Sequence, residues 1–120
     1  EAVERRLSDE HLVYQRLRVS TAFHSKVVSS AVQPFKDFLE AVSFDEPKIP
    51  VYANSLASRY PGTGTIDILS GQLASPVRFV EMIERMYEDG ARIFVEVGPG
   101  NSLSKLCKRI LRRKKEVLIQ

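Results

Sequence analysis

The chain has 120 residues and a mass of 13.6 kDa, with 43% hydrophobic and 28% charged positions, which is the composition of one soluble globular unit and excludes disorder of the whole chain. A chain of this size is expected to take roughly two thirds of its unfolded surface out of water. The net charge of +3 is uneven, because residues 101–120 hold seven Lys/Arg against one Glu while residues 1–100 carry −3.

No apolar run approaches the ~20 residues that cross a bilayer, and the opening EAVERRLSDE has no secretory h-region. Cys107 is the single cysteine and the two histidines lie far apart, so no intrachain disulfide, zinc site or other metal site is expected. A cytoplasmic chain without membrane contact fits these counts. The basic excess at the C-terminal end has no aromatic residue interleaved with it, so nucleic acid is not expected as a partner.

In chain order, Ala2, Val3 and Leu7 form a short helical stripe, and Leu17, Val19, Thr21 and Phe23 then alternate as in a strand over Arg18 to Phe23. From Ser25 the period becomes 3.6, with Val28, Val32, Phe35, Leu39 and Val42 on one face of a helix. Pro34 falls inside that stretch, so the helix kinks there or divides in two with the proline in the first turn of the second part. Val51 to Ala53 is a short strand candidate, and residues 54–65 have loop composition. Ile66, Ile68, Leu69 and Leu73 give a short helix ending near Ala74.

Ser75 and Pro76 read as a capping hydroxyl and a first-turn proline, opening a helix through Val80, Ile83 and Tyr87. Glu81 stands four residues before Arg85 on its outer face, and Gly90 suits a left-handed C-cap. Ile93 to Val97 is a buried-strand candidate stopping at Gly98-Pro99-Gly100. Asn101 or Ser102 can cap a last helix carrying Leu103, Leu106, Cys107, Ile110 and Leu111 on one face and basic residues on the other, where they complement the macrodipole. Val117 to Ile119 closes the chain as a possible strand. Alternating helices and strands indicate an α/β sheet.

His24 falls where the first strand candidate gives way to a helix, at the carboxyl edge where open α/β sheets build sites. An imidazole there can take a proton from a nucleophile and return it to a leaving group, although a histidine beside a helix start also serves in capping or packing. The usual partner, a serine in a G-x-S-x-G elbow, has no match in the sequence. Gly98-Pro99-Gly100-Asn101-Ser102 reads as a strand-to-helix turn or as a phosphate cradle at a helix N-terminus. Periodicity does not single out Gln72.

Four blocks, Leu17 to Ser25 (LRVSTAFHS), Ile49 to Asn54 (IPVYAN), Gln72 to Phe79 (QLASPVRF) and Phe94 to Gly100 (FVEVGPG), in that order and spacing, resemble the C-terminal part of malonyl-CoA:acyl carrier protein acyltransferase domains of the polyketide and polyunsaturated fatty acid synthase type. The resemblance implies a partial α/β-hydrolase-like core, with residues 1–23 as the end of an inserted ferredoxin-like subdomain and the return strand, and residues 24–120 as the C-terminal part of the core. It implies that His24 is the catalytic histidine, that the backbone carbonyl of Gln72 orients it, and that Phe23 is the bulky residue favouring malonyl over methylmalonyl groups.

In that family a malonyl group passes from coenzyme A to the phosphopantetheine thiol of an acyl carrier protein through an acyl-serine ester. Coenzyme A thioester is thus a substrate, the phosphopantetheine belongs to the partner, and no covalently bound cofactor is expected. The serine elbow, the arginine that pairs with the malonyl carboxylate and the glutamine near the oxyanion hole match no residue of this chain. The 120 residues are therefore expected to be inactive alone and to act with the remainder of the domain. The typical malonyl-type pattern has a histidine two residues before the phenylalanine, where this chain has Thr21. A reading of a different class is a non-catalytic module whose basic C-terminal helix docks an acidic carrier protein or a neighbouring domain.

Overall fold

The computed structural model describes residues 2–16 and 19–120. Helix α1 (Ala2–Asp9) is followed by residues 12–16 without regular structure, and residues 20–25 form bends and turns. The strand expected over Arg18 to Phe23 is corrected: Leu17 and Arg18 lie outside the described residues, and residues 19–23 enter no ladder. Alternating side chains make a strand only when a neighbour takes up the backbone hydrogen bonds, and among the described residues none pairs here.

After Ser25 comes a 3₁₀ turn (Lys26–Ala31) and then α2 (Val32–Glu40), with Pro34 at the third position of α2. The two-helix alternative is the one adopted, since a proline in the first turn needs no N–H partner. Ser25 is the N-cap, its Oγ accepting from Val27 N at 3.3 Å and donating to Ala22 O at 2.7 Å. Helix α2 lies against α3 (Thr65–Gly71), and Lys36 Nζ reaches Asp67 Oδ1 at 2.6 Å between them.

Strands β1 (Tyr52–Ala53) and β2 (Ser58–Arg59) form an antiparallel hairpin in register Tyr52 with Arg59 and Ala53 with Ser58. Its turn carries Ala57 at a φ of 53°. The hairpin is fastened to α4 (Phe79–Glu88): Tyr52 Oη donates to Asp89 Oδ2 at 2.6 Å, Arg59 Nε lies 3.2 Å from the same oxygen, and Arg78 N donates to Asn54 O at 3.0 Å.

Helix α4 begins at Phe79, three residues later than Ser75-Pro76 implied, because Ser75 Oγ bonds back to Gly71 O at 2.8 Å and is spent on the end of α3. Glu81 pairs with Arg78 rather than with Arg85, which faces Glu88 and Asp89. Gly90 takes a φ of 102°, and Ala91 N donates to Met86 O at 2.9 Å, the left-handed stop its position suggested.

Strand β3 (Ile93–Phe94) pairs in parallel with β4 (Leu118–Ile119), and Glu96 N to Gln120 O at 3.1 Å carries the pairing one step further. Between them α5 (Ser102–Ile110) crosses over and packs on α4. The core is the cluster of Ala57, Met82, Ile83, Cys107 and Leu111 where α4 and α5 meet the hairpin.

That core is small. The accessible surface is 9699 Å², against roughly 6,600 Å² for a compact protein of this mass, so about half of the unfolded surface is buried and not two thirds. The radius of gyration of 17.4 Å likewise exceeds the roughly 14 Å of a compact chain of this length. Ile93 on β3, and Val95 and Val97 just after it, stand open to solvent, where the sequence suggests a buried strand.

Candidate active site

The turn at residues 20–25 ends on His24, whose φ of 59° puts a non-glycine residue in the left-handed region. Such a conformation is uncommon and persists where surrounding contacts over-determine it. Two contacts do so here. His24 N donates to Leu73 O at 2.9 Å, and His24 Nδ1 lies 2.9 Å from Gln72 O. A carbonyl oxygen can only accept, so Nδ1 carries the proton in this contact and the lone pair of the neutral ring resides on Nε2. His24 is exposed.

Gln72 follows the last residue of α3, and its N–H completes that helix by donating to Ile68 O at 3.1 Å. Its carbonyl therefore projects beyond the helix, where it accepts from His24 Nδ1 and more weakly from Ser75 N at 3.4 Å. Its side-chain amide donates to Tyr60 Oη at 2.6 Å. Residues 24, 72 and 60, far apart in sequence, are thus one hydrogen-bonded chain. Phe23, next to the histidine, is 59% exposed.

The Gly98 to Ser102 segment is a strand-to-helix turn with Gly98 and Gly100 at φ values of 154° and 94°. Neither Asn101 nor Ser102 caps α5 by its side chain. Instead Glu96 Oε1 accepts from Leu103 N at 3.2 Å and Glu96 Oε2 from Ser104 N at 2.8 Å. These bonds, led by the one from Ser104, hold the Glu96 carboxyl below its ordinary value. The phosphate-cradle reading falls, because an internal carboxylate already occupies the amides an anion would use. Ser104 Oγ also donates to Gln120 O at 2.7 Å, tying β4 into the same cluster.

An apolar cavity of about 270 Å³ lies between Phe79, Ile83, Phe94, Leu103, Cys107 and Ile119, with no lining from residues 22–25 or 71–75. Burial pushes the Cys107 thiol up, with Glu96 adding to the shift. The bond of Tyr60 to Gln72 and the capping of α5 by Glu96 are contacts that sequence reasoning missed. A carboxylate two residues before a glycine turn into a helix is a readable signal for Glu96, whereas no local pattern points to Tyr60.

No family model matches the chain. It is 36% identical over 104 residues to the malonyl CoA-acyl carrier protein transacylase of Bacillus subtilis, covering 86% of this chain and 33% of that protein. It is 38% identical over 98 residues to a polyketide biosynthesis malonyl CoA-acyl carrier protein transacylase of Bacillus velezensis, covering 82% of this chain and 34% of that protein. Identity to a polyunsaturated fatty acid synthase component of a Thraustochytrium species is 37% over 98 residues, covering 80% of this chain and 3% of that protein. The crystal structure of the malonyl CoA-acyl carrier protein transacylase of Clostridium perfringens superposes with a TM-score of 0.85 at 30% identity, over 98% of this chain and 37% of that one.

The chain is homologous to the C-terminal part of malonyl-CoA:acyl carrier protein acyltransferase domains. It spans about a third of the length of the Bacillus transacylases. The fold is accordingly part of an α/β acyltransferase core. Among the described residues no helix is long and apolar enough to cross a membrane, and no cluster of His, Cys, Asp and Glu could hold a metal ion.

Proposed function

We propose that these residues supply the acid–base half of an acyltransferase site that moves a malonyl group from coenzyme A to the phosphopantetheine thiol of an acyl carrier protein. The observation that carries this is the contact of His24 Nδ1 with Gln72 O at 2.9 Å in a histidine held at positive φ. With Nδ1 protonated, Nε2 takes the proton of a serine hydroxyl as its oxygen attacks the thioester carbonyl, and gives that proton to the departing coenzyme A thiolate. In the second half-reaction Nε2 takes the proton of the phosphopantetheine thiol, whose sulfur attacks the acyl-serine ester, and returns it to the serine oxygen.

The serine is to come from a part of the domain outside residues 1–120, so the 120 residues alone are to turn over no substrate. Residues 1–23 then belong to the end of the inserted subdomain and residues 24–120 to the core. The expected setting is the cytoplasm. Phe23, exposed beside His24, is suited to crowd an α-methyl group on the acyl chain. In the intact acyltransferase, His24→Ala should lower acyl transfer by about 10²- to 10⁴-fold; wild-type turnover in that variant overturns the assignment.

One observation favours a second, non-catalytic reading. Lys105, Lys108, Arg109, Arg112, Arg113 and Lys115 are all exposed, on α5 and the turn after it, and form a basic surface fit to dock an acidic carrier protein. Docking by such charges weakens steeply with salt, because they are screened beyond about 8–10 Å. Carrier binding that is unchanged on raising the salt, or on reversing Arg112 to Lys115, rules this reading out.

A further inference from the structure

We propose that Tyr60 is a positioning residue for the imidazole of His24, acting through the side chain and carbonyl of Gln72. This rests on the acid–base role given to His24 above. The carbonyl of Gln72 lies past the last turn of α3, where its backbone donor is the weak Ser75 N at 3.4 Å and His24 N bonds the next carbonyl, so the peptide is steadied further by any hold on the Gln72 side chain. The half-buried Tyr60 supplies that hold, its phenol oxygen lying 2.6 Å from Gln72 Nε2.

Tyr60 is itself well anchored. Its N–H donates to Val51 O at 2.8 Å at the open end of the hairpin, and the hairpin is fastened to α4 through Tyr52, Arg59 and Asp89. Rigidity therefore passes from α4 through the hairpin to the amide of Gln72, then to its carbonyl and to Nδ1 of the ring. A ring whose Nδ1 acceptor wanders can place its proton on either nitrogen, and only the Nδ1–H tautomer leaves Nε2 free to act as a base. The phenol sets the population of the working tautomer without touching substrate.

The test uses the intact acyltransferase. Tyr60→Phe keeps the ring and removes the acceptor of the Gln72 amide, and Gln72→Leu removes the amide while keeping the backbone carbonyl. Each should lower kcat about three- to ten-fold, the worth of one hydrogen bond, with KM for malonyl-CoA within two-fold. The double variant should lose no more than either single one, because both cut the same tether. Nitrogen-15 spectra of the His24 ring should shift from the Nδ1–H tautomer towards a mixture in both variants.

An unmoved tautomer in Tyr60→Phe overturns the proposal, as do additive losses in the double variant, even if the melting temperature falls. His24→Ala separates the two readings. If that variant keeps turnover, the catalytic role fails, and the ring spectrum of Tyr60→Phe alone then decides whether the tether exists.

Discussion

His24 occupies a backbone region that asparagine and aspartate enter more readily than other side chains. His24→Asn thus separates shape from proton chemistry: the melting temperature should stay within ~2 °C, as for changes worth less than about 0.5 kcal/mol, while acyl transfer by the intact domain falls at least ~100-fold. A comparable loss of stability in a melting curve would mean that the imidazole is there for packing. Phe23 offers a second test at this scale. Phe23→Ala should reduce discrimination against methylmalonyl thioesters by about ten-fold or more in competition assays, the worth of one methyl clash, and an unchanged ratio would remove Phe23 from the selectivity argument.

At the scale of elements, the strand β3, the glycine turn and α5 are held as a unit by Glu96, whose carboxylate accepts from two first-turn amides of α5. Its folded pKa is depressed, first by the Ser104 amide, so its contribution is complete above the ordinary glutamate range and is lost as pH falls through the folded value. Asp89 behaves alike, held down first by the Tyr52 hydroxyl. The melting temperature should therefore fall as pH drops below ~4.3. Glu96→Gln should lower it at neutral pH and leave a shallower acid dependence, the remainder belonging to the other depressed carboxylates, among them Asp89 and Glu81. An acid limb of undiminished steepness in that variant would show that Glu96 does not contribute to it.

The helices were legible at this scale because their faces are written in residues three and four apart. Leu103, Leu106, Cys107, Ile110 and Leu111 mark α5 with no reference to the rest of the molecule. Caps and starts were less so. Ser75 has the residue type of a cap for α4 but spends its hydroxyl on Gly71 O, and the cap of α5 comes from Glu96 on the preceding strand. Such choices depend on which carbonyls and amides folding brings near, and spacing along the chain does not contain that.

Across the whole molecule, apolar surface is plentiful and the buried cluster is small. Ile83, 4% exposed between α4 and α5, sits in that cluster, and Ile83→Ala should cost about 2–5 kcal/mol in urea unfolding. A cost below ~1 kcal/mol would mean that the α4–α5 contact is not where stability resides. The exposed Ile93, Val95 and Val97 make a different prediction. The 120-residue chain on its own should bind an apolar fluorescent dye and self-associate in light scattering, whereas the intact domain should do neither. A monomeric chain silent to the dye would show that these faces need no cover.

Residue order alone determined the helical stripes, the glycine stop at Gly90, the uneven charge and, through four short blocks, the kinship and the candidacy of His24 and Gln72. All of these are local, or are matches of residue type at fixed spacing. Only the tertiary structure decided which ring nitrogen of His24 meets Gln72 O, that Tyr60 bonds Gln72, that Glu96 caps α5 and that the run before His24 makes no strand among the described residues. The physical reason is the same in each case: a hydrogen bond between groups 8 to 48 residues apart exists only once the intervening chain has closed a loop, and the loop's path is set by packing and not by spacing.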